Sequence, residues 1–292
     1  PLKDMAKKNS VLEFSVQDAI RWNERFTTWV GLRHTRLSRD SVGTDGSSPT
    51  GYDESLTTPW LAASYSFAPG HQVYASYGEG VESQIVPNKA GQYSNAGVAL
   101  PSLKSKQWEL GIRGEADGWK WQAAWFRIER PMTNLDACAR LFTTPCLGQY
   151  DGSAVHQGLE ASTQWTQGAW RLDGGILLLD AKRQGSIAEP ATNGQRPPNV
   201  PRWTLRSQAA WRVAGVPGLE LQGRLSHEAR RAVLPDASIQ LPAWTRVDAA
   251  LFFKANERIE FQVNVENLLD VSYFSDAHNN NHITPGAPIH AR

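Results

Sequence analysis

Apolar and polar side chains alternate with a period of two along most of this chain. Between Glu109 and Glu115, Leu110 and Ile112 share one side while Glu109, Gly111, Arg113 and Glu115 share the other. Leu219, Leu221 and Gly223 oppose Glu220, Gln222 and Arg224, and Phe261, Val263 and Val265 oppose Gln262, Asn264 and Glu266. Phe26, Thr28, Val30 and Leu32 stand against Gly31 and Arg33, and Leu159, Ala161, Thr163 and Trp165 against Glu160, Ser162 and Gln164. Successive side chains of an extended strand point to opposite faces, so the pattern predicts strands rather than helices. Short turn signals fall at Trp22 to Arg25, Ala68 to Gly70, Ala116 to Gly118, Thr166 to Gly168, Ala214 to Gly218 and Lys254 to Glu257. Between them lie longer stretches rich in Gly, Ser, Asn, Asp and Pro, at 38–56, 81–103, 131–153, 184–201, 231–240 and 270–288. Short and long connections alternate strictly, which predicts twelve strands of about 10 to 14 residues arranged as six hairpins.

Strands of that length do not suit a sandwich, where the mean is about 5–6 residues. They suit a transmembrane antiparallel β-barrel, whose tilted strands need about 9–11 residues and whose turns are short at one rim and long at the other. Closure into a barrel also pairs every backbone amide, which hydrocarbon demands.

Composition sharpens the choice. The 292 residues carry 30 Lys+Arg against 29 Asp+Glu, a net charge of +1, so no basic excess points to nucleic acid. The longest unbroken apolar run is Ala249 to Phe253, too short for a membrane-spanning helix. A mean hydropathy of −0.45 would ordinarily indicate a water-soluble protein. A barrel escapes that inference, because lipid-facing and water-facing residues average out. The 12 tryptophans offer an independent test. Trp22, Trp119, Trp121, Trp165, Trp170, Phe67 and Phe253 lie close to short turns, and Trp60, Trp203 and Trp244 near long connections. We expect two interfacial girdles from them.

Two stretches fit less well. Asp18 shares parity with Leu12, Phe14, Val16 and Ile20 and would face lipid near the lower rim, where a charge costs only about 0–1 kcal/mol. From Trp119 to Arg130, the tryptophans Trp119, Trp121 and Trp125 compete with Phe126 and Ile128 for the outward face, and a β-bulge is the expected remedy.

Specific motifs add a resemblance. Val265-Glu266-Asn267-Leu268-Leu269-Asp270, followed by Tyr273, is similar to the penultimate-strand signature Val-x-Asn-Leu-Phe-Asp of the TonB-dependent outer-membrane receptors, siderophore-receptor type, with Leu269 in place of Phe. Pro285-Gly286-Ala287-Pro288 resembles the turn into that family's last strand. Gln17-Asp18 with Gly31-Leu32-Arg33, Val73 to Gly80, Leu103 to Gly111, Phe126 to Glu129 and Gly158-Leu159-Glu160 follow in the family's order. The resemblance implies that residues 1–292 are the C-terminal portion of a receptor barrel, about twelve of 22 strands. The plug domain and the last strand would then be absent. Pro1 to Ser10 holds no apolar leader and position 1 is not Met, which fits an expectation of an incomplete precursor.

By that resemblance the protein would sit in the outer membrane of a Gram-negative cell as a multi-pass barrel surrounded by lipid. There it would bind a ferric siderophore or similar metal chelate and import it with energy delivered by the TonB complex through a missing N-terminal region. No resident cofactor is implied; the iron chelate is the cargo. Glu109, Arg113, Glu160, Arg206, Arg212, Glu220 and Arg224 would line the lumen, as a solvated wall against the plug more than as ligand contacts. Tyr93, Arg140 and Tyr150 are candidates for chelate contact, since aromatic and guanidinium groups suit oxygen-rich, anionic complexes. In an oxidising extracellular loop Cys138 and Cys146 favour a disulfide over a metal site. His278 and His282, separated by three asparagines, are expected in a polar surface loop.

Two other classes compete. A passive porin-like barrel would conduct ions and lack a plug. An enzymatic barrel could use Glu109 and Glu160 as a carboxylate pair, although no Gly-x-Ser-x-Gly, Walker, His-Glu-x-x-His or Cys-x-x-Cys motif occurs.

Overall fold

The computed structural model describes residues 7–41, 50–141, 144–278 and 282–291. Twelve long strands follow one another in antiparallel order. They are β1 (Lys7–Arg21), β2 (Phe26–Ser41), β3 (Thr50–Ala68), β4 (His71–Glu82), β5 (Leu103–Ala116), β6 (Trp119–Thr133), β7 (Tyr150–Gln167), β8 (Trp170–Gln184), β9 (Trp203–Arg212), β10 (Leu219–Glu228), β13 (Trp244–Lys254) and β14 (Glu260–Glu266). A thirteenth, β17 (His290–Ala291), adds to β14 and exceeds the expected count by one. Two small ribbons decorate the long connections: β11 (Arg231–Ala232) with β12 (Gln240–Leu241), and β15 (Phe274–His278) with β16 (His282–Pro285). His278 and His282 thus pair across a hairpin rather than lying in open loop. One helix, α1 (Leu135–Leu141), occupies the connection between β6 and β7.

The turn chemistry explains the hairpins. At the β5–β6 turn Asp117 (φ 50°) and Gly118 (φ 76°) both take left-handed backbone, the type I′ geometry that matches strand twist. Gly118 has no substitute there, because a β-carbon would strike the Thr166 carbonyl of the neighbouring hairpin.

The cross-strand register carries one face intact through the whole sheet. Ile112 opposes Ala123, Ala123 opposes Ala161 and Ala161 opposes Ile176; Leu221 opposes both Trp211 and Leu251. On this face large apolar side chains lie open: Leu110 is 58% exposed, Leu159 53% and Phe261 55%. A water-soluble protein does not leave so continuous an apolar face uncovered. On β8 the apolar positions run from Trp170 through Leu172, Ile176 and Leu178 and then give way to Asp180 and Lys182, paired at 2.9 Å. Eight residue steps at about 3.4 Å, inclined at the usual barrel tilt, make a band about 20 Å high, near the thickness of a barrel's apolar belt. Strands of 15 to 19 residues such as β3, β6 and β7 are longer than that belt needs, so their far ends stand above it on the long-connection side.

The girdles differ from expectation at the upper edge. The register sets Trp60 and Trp244 on the polar face, with Trp60 spread across Gly31. The aromatic side chains at the top of the apolar band are instead Tyr77 and Trp108, 4.3 Å apart, and Trp203 stacked on His227 at 4.1 Å. At the lower edge Trp119, Trp121, Trp165 and Trp170 all face outward, and Trp170 stacks on Trp211.

No bulge interrupts β6 between Trp119 and Arg130; the register shift comes at Pro131/Thr133. All three tryptophans keep the apolar face, and Phe126, 9% exposed, turns to the polar one. Gly158 makes this possible, since a β-carbon there would meet both the Phe126 ring and the Leu178 carbonyl. Asp18 stands on the apolar face opposite Val30, three residues from the strand end, with its Oδ1 accepting from the Ala19 N–H.

The Asn267 signature folds the chain back after β14. Asn267 is 1% exposed and left-handed (φ 54°). Its Nδ2 donates to the carbonyls of Val271 and Ala287, both at 3.0 Å, its Oδ1 accepts from Val271 N, and its own N–H donates to Asp248. Asp270 Oδ1 accepts from Ile289 N, delivering the chain to β17.

Candidate functional site

The long connections meet at one end of the polar face, and two of them are fused. The segments 83–102 and 134–149 share a small core of Val86, Tyr93, Leu100, Leu135 and Cys138. Backbone bonds run from Cys146 N to Gln92 O and from Ser94 N to Cys146 O. Asn95 and Gly148 exchange two bonds of 2.8 and 2.7 Å, and Asn134 clasps Leu147 O and Gln149 N. Cys138 and Cys146 are joined in a disulfide, their Cα atoms 5.7 Å apart, which ties α1 to this junction. Tyr93, a candidate for ligand contact by sequence, is 4% exposed and spends its hydroxyl on the Leu135 carbonyl, so it packs the loops together. Arg140 lies on α1; its side chain falls outside the described ones.

Further along the rim, Asp151 is buried at 6% exposure. Burial pushes its carboxyl up, but the Ser186 hydroxyl, the N–H groups of Ile187 and Ala188 and the charge of Arg183 together hold it below the usual carboxylate range. That cluster shapes the connection 185–202. Arg231, 7% exposed, pairs with Glu228 and donates to the carbonyls of Phe274 and Ser275, joining the last two long connections.

Beneath the fused loops, Glu82, Arg130, Tyr150 and His156 wall a recess of about 200 Å³ on the polar face. Arg130 forks onto Glu82 with Nε–Oε1 2.8 Å and Nη2–Oε2 3.0 Å. The Tyr150 hydroxyl is buried and meets no hydrogen-bond partner among the described residues; burial, then the nearby Tyr52, Glu82 and Glu54, push its pKa up. Arg130 is not among the sequence candidates, because the competition of Trp119, Trp121 and Trp125 with Phe126 and Ile128 leaves its face open. Its i, i+2 relation to Ile128 would have placed it correctly once Trp119, Trp121 and Trp125 were kept together.

The seven polar residues assigned to a wall all share the polar face by register. Glu109 accepts from the Tyr74 hydroxyl at 2.6 Å, and Arg206 donates to the His227 carbonyl at 2.9 Å while lying 5.7 Å from the Trp244 ring. Arg212 donates to Gly168 O, Glu220 accepts from Gln222, and Arg224 donates to Gln208. Arg113, Arg206 and Arg224 border an open trough of about 780 Å³ nearer the short turns. Glu160 stands between Ala124 and Leu177.

An apolar belt outside, a polar wall inside and braced loops at one rim define a segment of an outer-membrane β-barrel. Comparison with known proteins gives the family. Residues 4–268 match the family described as TonB dependent receptor-like, beta-barrel, and the chain belongs to it. TonB-dependent receptor β-barrels reside in the outer membrane of Gram-negative bacteria, and the family is made up of transport receptors. Among relatives, the probable TonB-dependent receptor BfrD of Bordetella pertussis is 25% identical over 92% of this chain and 38% of that protein. The metal-pseudopaline receptor CntO of Pseudomonas aeruginosa is 26% identical over 95% of this chain and 39% of that protein. The fold of the ferric preacinetobactin receptor BauA from Acinetobacter baumannii superposes with a TM-score of 0.82 at 23% identity, over 98% of this chain and 42% of that one. The chain therefore spans about two fifths of the length of these receptors.

Proposed function

We propose that this chain is the loop-bearing C-terminal part of a receptor that captures a ferric siderophore or similar metal chelate outside the cell and imports it with TonB-coupled energy. The observation that carries the reading is the union of a lipid-facing belt with a polar wall whose outer rim is braced for recognition. Relatives named for metal-pseudopaline and ferrioxamine B support a chelate as cargo. The rest of the barrel, a plug and the TonB contact would lie outside this sequence; the two edges left by β1 and β17 and the coverage of relatives support that arrangement. Glu109, Arg113, Glu160, Arg206, Arg212, Glu220 and Arg224 would face the plug across the lumen, and Tyr150 and Arg140 would stand toward the chelate. The test is uptake of radiolabelled iron chelates by cells carrying the complete receptor, with and without TonB. Accumulation that needs both supports the reading; ion conductance with no TonB-dependent accumulation refutes it in favour of a passive pore.

A further inference from the structure

The recess under the fused loops has a chemistry that its family membership does not assign. Two features define what fits there. First, the cation on its wall is already spent: Arg130 is closed on Glu82, and nearby Glu54 is held by the Tyr52 hydroxyl and the Ser102 N–H. Glu82 balances Arg130, the one arginine or lysine among the described lining residues, so an incoming anion meets no free guanidinium or ammonium there and loses its water. Second, the Tyr150 hydroxyl is sealed from solvent and unpaired among the described residues. A buried donor left unsatisfied is costly, and a ligand oxygen at that point would relieve the cost.

We propose that this recess receives an uncharged, oxygen-bearing arm of the chelate, such as a hydroxamate, amide or hydroxyl group. Tyr150 donates to its oxygen, and Glu82 screens Arg130 so that free carboxylate and phosphate groups are discriminated against. The inference rests on the receptor reading above and adds the class of ligand group to it. Recognition by a buried polar donor rejects mismatched groups more strongly than apolar fit does.

The test uses the complete receptor in detergent and two probes, a neutral ferric trihydroxamate and a trianionic ferric tris-catecholate, titrated by tryptophan fluorescence. Tyr150→Phe removes one hydroxyl with little change of shape and should weaken the trihydroxamate about fivefold to tenfold. Glu82→Gln frees Arg130 and should shift the affinity ratio toward the tris-catecholate by about tenfold or more. The double variant Glu82→Gln/Arg130→Gln restores neutrality and should return the ratio to that of the parent. A ratio within twofold of the parent in Glu82→Gln, with trihydroxamate affinity unchanged in Tyr150→Phe, overturns the recess as a ligand site while leaving the receptor reading intact. Binding of ferric trihydroxamate that is lost equally in every variant, together with a lowered melting temperature, assigns these residues to folding and also overturns it. Failure of the parent to bind any ferric chelate in a wider panel overturns the receptor reading and the recess together.

Discussion

Replacing Asn267 by Ala in the complete receptor should loosen the chain after β14 by a calculable amount. Three side-chain hydrogen bonds disappear, two donated to the Val271 and Ala287 carbonyls and one accepted from Val271 N. Leaving the Val271 N–H unpaired costs about 1–3 kcal/mol, and the two carbonyls about 1 kcal/mol each. Alanine in the left-handed backbone of position 267 adds about 1 kcal/mol. The total is about 4–6 kcal/mol, confined to a segment that β17 joins to the sheet by only two residue pairs. Amide exchange at Val271 and Ile289, followed by mass spectrometry, should therefore accelerate about a thousandfold to ten-thousandfold, tenfold for each 1.4 kcal/mol. Asn267→Gly separates the causes, because glycine accepts the left-handed backbone and should recover about 1 kcal/mol. Asn267→Asp turns a carboxylate oxygen toward the Val271 and Ala287 carbonyls in a buried site and should be no milder than alanine. Exchange within tenfold of the parent in Asn267→Ala, or a glycine variant no better than alanine, would refute the reasoning.

Spin labels at Leu110 and Leu221 should sense lipid and labels at Arg113 and Gln222 should not; four equal environments would remove the membrane assignment. Leu110→Arg should cost up to about 2–4 kcal/mol in a folding titration, whereas Gln222→Arg on the other face should cost far less. Reducing Cys138–Cys146 releases a short loop worth about 2–3 kcal/mol in chain entropy and should expose both 83–102 and 134–149 to protease while the barrel's melting temperature holds. Asp151 is depressed in the folded state, so its contribution is present above its unfolded value near 4 and is lost as pH falls through the lower folded one. Exchange in 185–202 should rise on acidification below about pH 4 in the parent, and Asp151→Asn should abolish that pH dependence.

Strands, turns and faces were legible because period-two alternation and turn residues are local properties. The Leu110/Arg113 and Leu221/Gln222 divisions needed no tertiary knowledge. Aromatic placement was less legible, because Trp60, Phe126 and Trp244 take the polar face only where Gly31, Gly158 or an arginine such as Arg206 across the sheet gives them a surface. The burial of Tyr93 was invisible for a different reason. Its companions Val86, Leu100 and Leu135 are scattered over two connections with no shared period, and only the fold brings them together. The Asn267 motif was visible as letters; its purpose, a left-handed reversal clasped at three points, required coordinates.

The fused pair of connections also sets a rule for swapping specificity between receptors. Transplanting 83–102 without 134–149 would strand half of a shared interior, break the reciprocal Asn95–Gly148 bonds and leave Cys138–Cys146 bracing a surface that no longer fits. A chimaera that moves both together, cut at the ends of β4, β5, β6 and β7, inherits a finished tile rather than a torn one.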